Sequence, residues 1–287
     1  MDRRVDLRPA EREAPPERCG RPGVPGIPDV PGVPGSSGHS GLPGISGEAP
    51  GEAYAVSAEF YDLLHARAYH RHALALAAPA AAARLGIVEV GAGTGLVTGV
   101  LIGASHVPVH AVEPSPAMRT VLLSRLHPPV GGSAGERVTV HACSALDLSL
   151  DGPADLAVCL RLVPCLPPVE RRALWRVLAG LLVPGGLLFL DRPPSGVPAQ
   201  PVRRGLGQVR LGMDTYHGLL TQCAEDGRIR YDYSYLVCRQ GRVLRHARES
   251  FLLWPLPRRE LGRELAAAGL VLEDDLTPDV LRARRGV

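Results

Sequence analysis

The 287-residue chain contains no lysine and no asparagine, so arginine supplies every one of its 32 basic side chains. Without lysine there is no Schiff base to pyridoxal phosphate, no phosphate-loop lysine and no kinase-type lysine. An aminotransferase, a P-loop NTPase and a protein kinase are therefore excluded. A net charge of +3 is a weak basic balance, and a nucleic-acid wrapper carries a stronger basic stripe. No apolar run reaches the roughly 18–20 residues that span a bilayer. The amino terminus opens MDRR and stays polar, with no signal-peptide core. Cysteines at 19, 143, 159, 165, 223 and 238 form no C-x-x-C and no zinc-like spacing with histidines. Scattered cysteines of this kind read as reduced, mostly buried small residues. The expectation is a cytoplasmic protein that binds neither nucleic acid, membrane nor metal.

Residues 1–50 hold ten prolines and nine glycines, with a proline at every third position through 22–34 and no hydrophobic period. Such a composition buries too little apolar area to offset chain entropy. A disordered leader at 1–50 is expected, followed by one domain over 51–287. From Glu52 an alanine-rich helical stretch precedes GIVEVG, a β-branched run that stops at glycine. Strands follow at His106–Val112, Val138–Ala142, Ala154–Leu160 and Leu187–Asp191. Helices are read at Pro116–Leu126 and Val169–Leu182, the second ended by Pro184-Gly185-Gly186. This alternation predicts an α/β fold with a Rossmann-like, doubly wound, mostly parallel seven-stranded sheet. Arg228–Cys238 alternates tyrosines with polar residues, Gln240-Gly241 makes a turn, and Val243–Leu253 returns. An antiparallel hairpin is thus inserted at about 195–255, with Arg203, Arg204 and Arg210 in a loop before it. The helix PRRELGRELAAAG and two short strands, Leu270–Asp274 and Val280–Ala283, complete the sheet.

The sharpest motif is Glu89-Val90-Gly91-Ala92-Gly93-Thr94-Gly95 after the first strand. Glycines in G-x-G-x-G turn the backbone tightly and let it approach a ligand. A dinucleotide loop would be G-x-G-x-x-G/A, but Leu96 stands at its last position. Glu89 lies two residues before the first glycine, where it can meet a cationic amine. Glu113 ends the second strand, where a ribose diol would sit. Tyr54, His65 and the Tyr216-His217 pair are candidates for a base or an orienting group. His65, His70 and His72 share a helix with Tyr61 and Tyr69, while Tyr231, Tyr233 and Tyr235 share one strand face. Packing alone would also explain much of that tyrosine pattern.

On these residues the chain, over 54–287, resembles the class I S-adenosylmethionine-dependent methyltransferases. The resemblance implies that Glu89 handles the methionyl amine and Glu113 the ribose. It sets Gly91, Ala92, Gly93, Thr94 and Gly95 against the cofactor, and Pro114, Ser115, Met118, Cys143, Ser144 and Ala145 beside adenine. Tyr61, Tyr69 and Leu160 complete that implied set. Ser144 stands where the family often has aspartate. Tyr54 matches a family tyrosine near the reacting methyl, and His65 and His217 are the other catalytic candidates. Arg161, Cys165, Tyr216, Tyr233 and Tyr235 are the expected substrate residues. More closely, Tyr54–His72 and Arg228–Glu260 resemble the small-molecule branch that includes actinomycete N,N-dimethyltransferases of nucleotide-linked amino sugars. That branch tends to carry Gly-His-Leu after strand four, where this chain has Val163-Pro164-Cys165-Leu166. The expectation is N-methylation of a small molecule in secondary metabolism, such as antibiotic biosynthesis. Alternatives are C- or O-methylation of an aromatic or indole-type product, or a non-catalytic cofactor-binding protein. A homodimer is left open.

Overall fold

Alanine-rich Ser57–Ala75 (α1) and Ala77–Ala82 (α2) lead into Ile87–Val90 (β1), a β-branched run buried at all four positions. In the computed structural model the described residues are 54–127 and 133–287, so the expected leader at 1–50 lies outside them. After β1 come Leu96–Ala104 (α3), Val109–Val112 (β2), Pro116–Leu126 (α4), Val138–His141 (β3) and Ala154–Cys159 (β4). Pro168–Leu181 (α5) and Leu182–Asp191 (β5) follow. Four long strands come next: Val202–Leu211 (β6), Asp214–Glu225 (β7), Arg228–Arg239 (β8) and Arg242–Leu253 (β9). Arg258–Ala267 (α6), Leu270–Leu272 (β10) and Val280–Arg285 (β11) close the chain.

The first sheet has the order β10-β11-β5-β4-β1-β2-β3, with β3, β2, β1, β4 and β5 parallel and β11 antiparallel to β5. This is the doubly wound seven-stranded fold. The strand order reverses beside β1, and ligands of such sheets sit beyond the carboxyl ends of the strands there. Leu174, Trp175 and Leu178 of α5 pack on Val88, Val90 and Val112 in the main core. Within it, Arg171 forks onto both Glu264 oxygens at 2.8 Å, and the Trp175 indole donates to the same carboxylate at 3.0 Å, tying α5 to α6.

Three expectations are corrected. Pro108 delays the second strand to Val109. Pro184-Gly185-Gly186 does not follow the helix as a separate stop. It lies inside β5, where the register slips between Ala154 and Leu156 of β4, so the extra residues bulge. The inserted hairpin is half of a four-stranded antiparallel sheet, β6-β7-β8-β9. Gly205, Gly207 and three arginines hide the period of β6, which puts Arg203, Arg204 and Arg210 on a strand rather than in a loop. Helix α1 lies on this sheet, with Phe60 stacked on Tyr235 at 4.5 Å. Gly218 permits the contact, since a Cβ there would come within 2.7 Å of Leu64.

Candidate active site

The glycine loop hangs on its neighbour strand: the N–H groups of Gly91 and Ala92 both donate to the Val112 carbonyl at 3.0 Å. Gly93 has φ +58 and Gly95 φ +83, a region that side-chain-bearing residues avoid. The two glycines serve different ends. A Cβ on Gly95 would strike Leu122 at 2.6 Å, whereas on Gly93 it would meet little but open space, with Gly91 O at 4.0 Å. That open space is a cavity of about 730 Å³.

Two of the carboxylates that line it are Glu89 of β1 and Glu113, just after β2. Glu113 is held by backbone alone: Gly93 N–H donates to Oε2 and Ser115 N–H to Oε1, each at 2.8 Å. Burial still raises its pKa, opposed by those two N–H groups and by Arg119. Glu89 is more deeply buried and takes one hydrogen bond, from the Thr98 hydroxyl at 2.6 Å. Burial pushes its carboxyl up to about 8, against the Thr98 bond and with help from Glu113. The loop is latched on its outer side. Thr94 Oγ1 donates to Asp62 of α1 at 2.6 Å, while Arg125 of α4 pairs with Asp62 and donates to the Thr94 carbonyl at 2.9 Å.

A second cavity of about 250 Å³ adjoins the first, and Tyr54, Tyr61, Tyr69, Arg161, Cys165 and Phe251 line both. Aromatic residues are scarce, at 4% of the chain, yet six of its seven tyrosines line this small space. Tyr54 stacks on Phe251 at 4.7 Å, and its phenol pKa is raised well above normal by Cys165, burial, Glu113 and Tyr233. His65 lies parallel to Tyr69 at 5.4 Å and edge-on to Tyr233 at 5.9 Å. Burial, then Arg161 and Arg204, drive its imidazole down to about 4. Burial lifts the Cys165 thiol to about 11, against the Tyr54 hydrogen bond and Arg161. At neutral pH the His65 imidazole, the Cys165 thiol and the Tyr54 phenol are thus uncharged.

These features coincide with sequence and structural likeness. Residues 87–186 match the family model of a methyltransferase domain. No curated protein matches the chain by sequence. Among solved structures, S-adenosylmethionine-bound CalS10, an amino pentose methyltransferase of Micromonospora echinaspora involved in calicheamicin biosynthesis, is 25% identical. That match covers 79% of this chain and 96% of CalS10, with a TM-score of 0.64. DesVI of Streptomyces venezuelae (20% identity, 79% and 97% covered, TM-score 0.65) has the same fold. So does the sugar N-methyltransferase KedS8 of Streptoalloteichus sp ATCC 53650 (23%, 87% and 100%, 0.61).

The chain thus carries a methyltransferase domain over residues 87–186, on the fold of S-adenosylmethionine-dependent methyltransferases. No helix of the methyltransferase among the described residues is long and apolar enough to cross a membrane. Glu89, Gly91, Ala92, Gly93, Thr94, Glu113, Pro114 and Met118 line the larger cavity, as do Cys143, Ser144, Ala145 and Leu160. Of the cofactor residues read from sequence only Gly95 is absent, because it packs on Leu122 instead. The Ser144 hydroxyl oxygen accepts from Leu146 N–H at 3.2 Å, and Asp147 lines the cavity a turn later.

Tyr54, His65, Arg161, Cys165, Tyr233 and Tyr235 line the smaller cavity, whereas Tyr216 and His217 line neither. Tyr216 packs 6.1 Å from Phe60 beneath α1, and strand alternation turns His217 to the opposite face of the sheet. Sequence reasoning did not assign Asp191, Tyr231 or Phe251 to the site. Asp191 could have been found, since it ends β5 as Glu113 follows β2. Phe251 could not, because its place depends on pairing with Tyr231 across the sheet.

Proposed function

We propose that this methyltransferase methylates the nitrogen of a small-molecule acceptor held in the tyrosine-lined cavity. The carrying observation is the pairing of a glycine-loop cavity with an aromatic one whose hydroxyls, thiol and imidazole are neutral. The larger cavity fits the cofactor: open space over Gly93 admits a ligand against the backbone, and the two carboxylates suit a diol and an ammonium group. Glu113 would hold the ribose hydroxyls with its remaining lone pairs. Glu89 would meet the amino group, and Met118 with Cys143, Ser144 and Ala145 would flank the adenine.

S-adenosylmethionine, when bound, supplies a methyl group already activated on a sulfonium centre. What remains for the chain is alignment, and holding an acceptor in line supplies a large part of such a rate gain. Tyr54 and Phe251 stand where the cavities meet and would orient the acceptor toward the cofactor side. A hydroxyl acceptor would need a base to remove its proton. An imidazole with a pKa of about 4 and a thiol at about 11 are poor bases at neutral pH, and the Asp191 carboxylate is already engaged by the Arg161 N–H. A neutral amine carries its own lone pair and needs none. The likeness to CalS10 and to other actinomycete enzymes supports an amine acceptor in natural-product biosynthesis. Histidine is missing after β4, but His65 enters the acceptor cavity from α1 and adds an uncharged polar edge there.

The test is methyl transfer from isotopically labelled S-adenosylmethionine to matched pairs of ring amines and phenols, with products identified by mass spectrometry. Label on nitrogen is expected. Label confined to oxygen would reject the reading.

A further inference from the structure

Arg161 is the first residue after β4, and its backbone lies in the left-handed region at φ +62. A non-glycine residue there is strained and persists where surrounding structure enforces it, often at a ligand site. The enforcing contact is Asp191, whose Oδ1 accepts the Arg161 N–H at 2.7 Å. The guanidinium then rests on the Tyr69 ring at 5.0 Å. No hydrogen bond or ion pair to it occurs among the described residues. It differs in this from Arg192, also on the cavity wall, which is engaged by Asp275 at 2.5 Å and by the Pro278 carbonyl at 2.8 Å. Arg161 thus presents a charged fork with open donors inside a cavity walled by aromatic rings. A guanidinium fork matches two oxygens of one anionic group. The space, about 250 Å³, exceeds the roughly 150 Å³ of an apolar cavity that holds a benzene ring. That admits one ring with short substituents.

We propose that the acceptor is a compact ring compound bearing an anionic oxygen group, a carboxylate or a phosphate, and that Arg161 grips this group. The inference rests on the reading of the smaller cavity as the acceptor site. Tyr69 holds the guanidinium in place, and the tyrosine rings cover the faces of the acceptor ring.

The test is calorimetric titration of the full chain, saturated with S-adenosylhomocysteine, with benzoate, phenyl phosphate and benzamide. Benzamide copies the shape of benzoate without its charge. At least one anion should bind ten times more tightly than benzamide, and which of the two binds better identifies the group. R161Q should abolish the preference, and R161K should keep only part of it, since lysine has charge but no fork. S-adenosylhomocysteine should bind R161Q within about threefold of the unchanged protein, which shows the variant is folded. Failure of the unchanged chain to bind S-adenosylhomocysteine would reject the cofactor assignment itself. If S-adenosylhomocysteine binds but the anions show no preference, or the preference survives in R161Q, or no probe binds, Arg161 does not grip the acceptor.

Discussion

The two cavities of this molecule are built from different materials. The glycine-loop half is made of backbone: Glu113 is fixed by the N–H groups of Gly93 and Ser115, and the loop hangs on the Val112 carbonyl. The tyrosine half is made of side chains contributed by α1, the β4–α5 turn and strands β8 and β9. A backbone site tolerates little change because every residue shares the same peptide groups. A side-chain site can be refitted ring by ring without disturbing the sheet beneath it. The comparison teaches that, on the proposed reading, the acceptor side can change while the cofactor side is kept.

The sharpest way to break the comparison is Gly93→Val. The position needs φ +58 and faces the open cavity. A valine there strains the loop and fills the space a ligand must enter. S-adenosylhomocysteine affinity should fall by at least a hundredfold, on the scale where 1.4 kcal/mol is tenfold. Circular dichroism should show the fold retained. Tight binding by a folded variant would mean the loop does not cradle the ligand.

Glu89→Gln comes next and carries a pH signature. With its carboxyl raised to about 8, free Glu89 is protonated at neutral pH and must ionise to meet an ammonium group. Affinity for S-adenosylhomocysteine should weaken toward tenfold per unit as pH falls below 8, with a proton released on binding. E89Q should flatten that profile and bind about tenfold more weakly at pH 8. Stability moves the other way. A folded pKa above the unfolded value of about 4.3 stabilises the protein fully below that value, and the benefit is lost as pH rises through about 8. The ligand-free protein should therefore lose roughly 2 kcal/mol between pH 6 and 8 from this group, and E89Q should not. A thermal-denaturation series at several pH values measures it.

How much of this was legible in the sequence divides along the same line. Glycine spacing and acids at strand ends are local signals, so most residues that line the larger cavity are legible from them. Spacing alone puts Gly95 against the ligand, because it cannot tell a glycine that faces a cavity from one that must clear Leu122. The side-chain half depends on register between distant strands. Tyr231 meets Phe251 across β8 and β9, and no local pattern states which residues will be opposite. Tyr216 and His217 were misplaced for the same reason: the face of β7 that α1 covers is decided at Gly218. Strand β6 escaped notice because arginines and glycines interrupt its period.

The smallest effect belongs to the latch between the halves. Asp62→Ala removes the carboxylate that holds Thr94 and Arg125, both partly exposed contacts. Exposed pairs are worth about 0.2–1 kcal/mol, so cofactor affinity should fall only three- to fivefold, with a melting temperature lower by a few degrees. A fall as deep as that of Gly93→Val would make α1 part of the cofactor site itself.

The division of labour is tested most directly by titrating S-adenosylhomocysteine into Glu113→Gln and Tyr233→Leu side by side, with methyl transfer measured on both. In Glu113→Gln an amide faces two N–H donors and the charge is gone, at about 1.5–3 kcal/mol per charge-assisted bond. Cofactor affinity should drop ten- to a hundredfold, with turnover at saturating cofactor changed less. Tyr233→Leu, which alters only the smaller cavity, should leave cofactor affinity within threefold while methyl transfer falls tenfold or more. Equal losses of cofactor affinity in both variants, or an untouched affinity in Glu113→Gln, would contradict the account.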